Sequence, residues 1–147
     1  MGLFWNKQTA PQADERWEAL NAEYQNYRRR TSAELEAAGS KSARQTAAAF
    51  LPIYDDLQRA LNSQCSDPAF YRGVEMILQE LMDTFAALGV KPMDSKGRIF
   101  NPTYHEAVDH IVDPNYRREE IVEVIRMGFT MDDEVIRHAR VIVANCE

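Results

Sequence analysis

Between about Ala13 and Leu61 the sequence carries almost no turn signal. Read as one helix, that stretch is roughly 70 Å long at about 1.5 Å per residue. Such a helix greatly exceeds ordinary length, so it belongs in a coiled coil or a bundle. Trp17, Leu20, Tyr24, Tyr27 and Thr31 alternate at spacings of three and four, giving one narrow apolar stripe. The stripe weakens through Glu34, Ala38 and Lys41, and Gly39 costs about 1 kcal/mol relative to Ala. Phe50, Tyr54, Leu57 and Leu61 restore a strong face. Pro52 interrupts it and is expected to kink the helix, because it lacks an N–H.

Residues 1–12 read as a flexible tail. Asn62 to Asp67 read as a turn, and Asp67-Pro68 pairs an N-cap with a proline suited to the first helical turn. A second helix is expected from about Pro68 to Leu88, with Val74, Ile77, Leu81 and Phe85 on its apolar face. It folds back on the first as an antiparallel hairpin. One hairpin leaves the stripe from Trp17 to Tyr27 uncovered. A second copy of the chain is the simplest cover: two hairpins make a four-helix bundle, and two long helices pair as a stalk. Residues 13–89 are therefore expected to be helical and dimerising.

Beyond Gly89-Val90-Lys91-Pro92 the composition changes. Of 17 Val and Ile residues, 14 lie in 90–147, which points to strands there. Ala107 to Val112, Ile121 to Met127 and Val135 to Val143 read as short strands separated by turn residues. In the last of them Val141 and Val143 alternate with Arg140 and Ile142. The fold class expected is α+β, with a small antiparallel β-domain at 90–147.

Composition and motifs exclude several classes of function. The net charge of −6 disfavours nucleic-acid binding through the overall field. No apolar run is long enough to cross a membrane. Residues 1–7 lack the pattern of a secretory signal, and two cysteines, Cys65 and Cys146, suit a reducing cytoplasm. His105-Glu106-Ala107-Val108-Asp109-His110 invites a zinc-protease reading, but its histidines stand five apart where such a helix needs four. Asp55-Asp56 reads as a solvated face, since adjacent helical positions do not face each other. Arg28-Arg29-Arg30 spreads around the helix and reads as solvated stalk. No glycine-rich phosphate loop is present, so the chain has no visible means of holding a nucleotide itself, and no cofactor or metal is expected.

One pattern is more specific. Phe100-Asn101-Pro102-Thr103-Tyr104-His105-Glu106-Ala107-Val108 is followed by Gly128-Phe129, Asp133 and Ile136-Arg137-His138-Ala139-Arg140-Val141-Ile142-Val143. This constellation resembles the signature of the GrpE family, nucleotide exchange factors for DnaK-type heat-shock ATPases. Ala22 to Arg30, Phe50 to Leu61 and Gly73 to Met76 resemble the family as well. The resemblance covers about residues 17–145.

It implies a homodimeric co-chaperone whose β-unit opens the nucleotide cleft of the chaperone's ATPase domain and promotes ADP release, in protein folding and in heat or osmotic stress. It implies no chemical catalysis by this chain. The contact positions it implies are Phe100, Asn101, Pro102, His105, Ala107, Ile125, Gly128, Phe129, Arg137, Val141 and Val143, with Gly73 on the bundle. Of these, Phe100, Phe129, Val141 and Val143 suit a core as well as an interface. Pro102 and Gly128 suit loop-shaping, because Pro fixes φ and Gly tolerates φ > 0. Arg137 suits pairing with a carboxylate, on a partner or within the unit.

Overall fold

The computed structural model describes residues 10–146. The tail read at residues 1–12 lies outside the described residues as far as residue 9. Helix α1 spans Ala10–Asn62 and is unbroken through Pro52. The chain falls into two compact parts, divided between Ser42 and Ala43.

In the first part α1 is solvent-exposed from Ala13 onward except at half-buried Thr31. Trp17, Leu20, Tyr24 and Tyr27 are between 54% and 66% exposed. Local pairs line this surface: the Arg28 guanidinium lies 5.9 Å from the Tyr24 ring centre, and Arg30 meets Glu34 at 3.5 Å. Among the described residues, nothing covers the stripe.

The second part begins with the remainder of α1. The turn at 63–67 ends in the Asp67 N-cap, whose side chain accepts the Ala69 N–H at 2.9 Å. Helix α2 runs from Pro68 to Ala87, and Gly89 behind it takes φ +81°. That is the left-handed conformation which ends a helix at low steric cost. Ala47, Leu51 and Tyr54 of α1 share a core with Phe85 of α2, flanked by Leu78, Leu81 and Met82.

Six strands follow: β1 (Val90–Pro92), β2 (His105–Ile111), β3 (Ile121–Arg126), β4 (Phe129–Met131), β5 (Glu134–Arg137) and β6 (Ala139–Ala144). They form two sheets, ordered β1-β4-β5 and β2-β6-β3. The first belongs to the helical core, contributing Val90, Phe129 and Met131 to it. The second has its own core of Ile121, Ala139, Val141 and Val143, with Met93, Phe100 and Val124 against it. Full burial of one such apolar side chain stabilises by about 1.5–3 kcal/mol.

The β-region thus differs from one antiparallel unit: it forms two sheets, and one of its pairings is parallel. β3 runs antiparallel to β6, but β2 runs parallel to it, because β6 inserts between two strands that precede it. The last expected strand is also divided. Asp132 and Asp133, both at positive φ, make the tight turn from β4 into β5, and the chain crosses to the other sheet at His138.

Candidate functional site

The second sheet presents the region where the sequence concentrates its candidates. β6 is its middle strand, and Val141 and Val143 are 0% exposed. Ala107 is exposed on β2, the edge strand, and Ile125 is 52% exposed on β3. Asn101 and Pro102 are exposed in the loop that leads into β2.

Hydrogen bonds shape that loop. Asn101 Oδ1 accepts the Thr103 N–H at 2.9 Å, and the Asn101 carbonyl accepts the N–H groups of Tyr104 and His105. The Asn101 N–H donates in turn to His105 Nδ1 at 3.0 Å. His105 is buried with its ring tilted against Phe100 at 6.0 Å. Burial, and then the charge of His138, hold its pKa below the usual 6.5. A neutral imidazole is what the Asn101 bond requires, since a protonated ring has no acceptor. His105 therefore acts as a loop clamp. Among the described residues, no group of three or more His, Cys, Asp or Glu could hold a metal ion.

Several candidates face inward. Phe129 is 0% exposed and stacks edge-on to Tyr54 at 5.0 Å and to Phe85 at 5.9 Å. Tyr54 and Phe85, read from the sequence as seam residues, are therefore covered within the chain. Phe50 and Ile77 are 46% and 55% exposed, whereas Leu57, Leu61, Val74 and Leu81 are half-buried. Phe100 is half-buried against the second core.

Gly128 is buried, and its role differs from the expected one. Its φ is not positive, but an added Cβ would lie 2.5 Å from Ala139 N and 2.6 Å from Met93 Sδ. Closeness of neighbouring backbone is what demands glycine there. Gly73 is exposed on α2 with nothing within 4 Å of an added Cβ.

Arg137 finds its carboxylate within the chain. Its Nη1 and Nη2 donate to Asp55 Oδ2 and Oδ1 at 2.7 and 2.8 Å. The two side chains are only 14% and 19% exposed. Asp55 also accepts from Arg126 Nε at 2.9 Å. Burial pushes the Asp55 carboxyl up, but the Arg137 and Arg126 hydrogen bonds and charges outweigh it, holding its pKa below the usual 3.8. The reading of Asp55-Asp56 as a solvated face is thus corrected for Asp55, while Asp56 stays exposed and pairs with Arg59. Asp55 and Arg137 stand 82 residues apart, so no local pattern could reveal the pair. Beside them an open groove of about 600 Å³ runs between the end of α1 and β3, with Arg59, Asn62, Ile125 and Arg140 on its walls.

The chain is also similar in sequence to known proteins. The chain is 38% identical over 133 residues to Protein GrpE of Clostridium acetobutylicum, covering 90% of this chain and 66% of that one. It is 40% identical over 126 residues to Protein GrpE of Clostridium beijerinckii, covering 86% and 60%. Against Protein GrpE of Clostridium tetani the identity is 37% over 123 residues, covering 84% and 61%. The chain thus spans 60 to 66% of the length of these curated relatives. The GrpE family model matches residues 6–145, nearly the whole sequence, and the chain belongs to the GrpE family.

Proposed function

We propose that this chain is a homodimeric adenyl-nucleotide exchange factor, a co-chaperone that opens the nucleotide cleft of a DnaK-type ATPase and promotes ADP release. The observation that carries the reading is the family match across residues 6–145. The fold supports it. A small sheet with its own core offers Asn101, Pro102, Ala107 and Ile125 to a partner, as Gly73 does on α2. Residues 90–147 are the contacting unit, and residues 13–89 the dimerising one.

Exchange of this kind is a difference in binding. The chain must hold the open, ADP-poor chaperone better than the closed one. Weakening ADP a hundredfold corresponds to about 2.7 kcal/mol of coupling, and ADP weakens the chain's binding by the same factor. No bond is made or broken by this chain.

The exposed stripe of Trp17, Leu20, Tyr24 and Tyr27, with Phe50 and Ile77, supports pairing with a second copy. The proposed setting is a reducing cytoplasm, in which the exposed thiols of Cys65 and Cys146 stay free. The test is the release of labelled ADP from a DnaK-type ATPase, with and without the chain. Acceleration that saturates is the expected result. An unchanged off-rate at saturating chain refutes the proposal.

A further inference from the structure

The chain passes between the two sheets at three places, and all three meet. The first follows β1, where the Met93 N–H donates to the Gly128 carbonyl at 2.9 Å. The second is Met127-Gly128, between β3 and β4. The third is His138, between β5 and β6. Gly128 lies where they approach closely, with Ala139 N and Met93 Sδ occupying the space of a side chain.

Arg137 pins this junction from inside. Its Nε and Nη2 donate to the Met127 carbonyl at 3.0 and 2.7 Å, tying the third crossing to the second. Its fork grips Asp55 on α1. Its guanidinium carbon lies 5.5 Å from the centre of the Phe129 ring, which the helical core holds in place. Asp55 also receives Arg126, the last residue of β3. One helical carboxylate therefore fixes the ends of two strands that lead to and from the second sheet, β2-β6-β3, the outer one with respect to the helical core. A planar guanidinium with two parallel bonds defines an angle, as a single-point ammonium contact does not.

We infer that Asp55 and Arg137 are positioning residues for nucleotide exchange: they stiffen the joint through which the outer sheet bears on the helices, without touching the partner. This inference rests on the exchange-factor reading. A joint that yields lets the sheet follow the closed partner as readily as the open one. Binding then persists while the preference for the open state fades, and that preference is what expels ADP.

The experiment compares the wild-type chain with Asp55→Asn and Arg137→Lys. For each, affinity for a DnaK-type ATPase is measured with and without ADP, together with the maximal rate of labelled-ADP release. Both variants should keep affinity for the ADP-bound partner within about threefold of wild type or improve it, while the ratio of the two affinities shrinks about tenfold. The maximal release rate should fall about tenfold with it.

Glu134→Gln is the comparison variant. It breaks the Arg44–Glu134 pair at 3.0 Å, in which Glu134 is exposed and Arg44 half-buried, and should leave the ratio at its wild-type value. If Asp55→Asn loses its near-ultraviolet circular dichroism, Arg137→Lys carries the test. Equal loss of affinity for both partner forms, or an unchanged ratio, overturns the inference while wild-type exchange stands. A wild-type chain that does not accelerate ADP release overturns the exchange reading, and this inference with it.

Discussion

Replacing Gly128 by alanine tests the packing at the junction of the two sheets. The added methyl would stand 2.5 Å from Ala139 N, 2.6 Å from Met93 Sδ and 2.9 Å from Ala139 Cα. The Met93 side chain can swing aside, but the Ala139 backbone cannot do so freely. Its N–H donates to the Tyr104 carbonyl at 3.0 Å, and Ala139 is 0% exposed in the outer core. Relief requires the strand to retreat by about 0.9 Å, straining that bond and opening the core behind it. Overpacking of this kind costs about 1–3 kcal/mol, and a backbone obstacle places it at the upper end. A loss of about 3 kcal/mol lowers the folding equilibrium more than a hundredfold. Urea unfolding followed by near-ultraviolet circular dichroism of the Tyr54–Phe129 cluster reads it directly. Gly73→Ala is the matched control: its methyl meets nothing within 4 Å, and it should stabilise α2 by about 1 kcal/mol through helix propensity. A Gly128→Ala variant within 0.5 kcal/mol of wild type on the same ~1 kcal/mol scale of ordinary substitutions would refute the packing argument.

Three further outcomes follow from the geometry. His105 has its pKa depressed in the folded state, so the unfolded chain binds more protons as pH falls below 6.5, and stability declines from there downward. Unfolding at pH 7.5 and 5.5 measures the decline, and an imidazole resonance titrating at or above the ordinary value would contradict it. Ser95 Oγ is buried without a hydrogen-bond partner, so Ser95→Ala should hold or raise the melting temperature, by up to about 1 kcal/mol of stability. A clear drop on thermal denaturation would show that the hydroxyl is used. Tyr24→Asp places a charge in the exposed stripe, and should shift sedimentation toward the monomer and reduce helix content at low concentration. An unaltered sedimentation coefficient would remove the stripe from the dimer proposal.

The helices were legible because their signals are local. Asp67-Pro68 marks the start of α2, Gly89 its end, and the long stretch without turn residues marks α1. In β6 the alternation of Val141 and Val143 with Arg140 and Ile142 was legible as an apolar face, but not whether that face met a core or a partner; both valines are 0% exposed, which corrects their reading as contacts. What escaped depends on partners distant in sequence. Nothing around His105 announces that β2 lies parallel to a strand at Ala139–Ala144, since the topology is decided by where β6 inserts. Asp55 looks like any helical acid until folding brings Arg137 and Arg126 to it. Gly128 was marked as special, but its reason, a backbone pressed against it, belongs to tertiary packing rather than to its own φ.

The position of β6 also governs how the outer sheet comes into being. Its pairing with β2 joins His105 to Ala139, and with β3 joins Ile121 to Val143, so neither neighbour has a partner until the intervening chain has been made. Contacts this far apart in sequence form slowly, whereas helical turns form at once. During synthesis the helices and the β4–β5 hairpin can therefore be complete while β2 and β3 still wait with open edges. A chain stopped before Ala139 would carry its helices intact and lack the strand on which the outer sheet assembles.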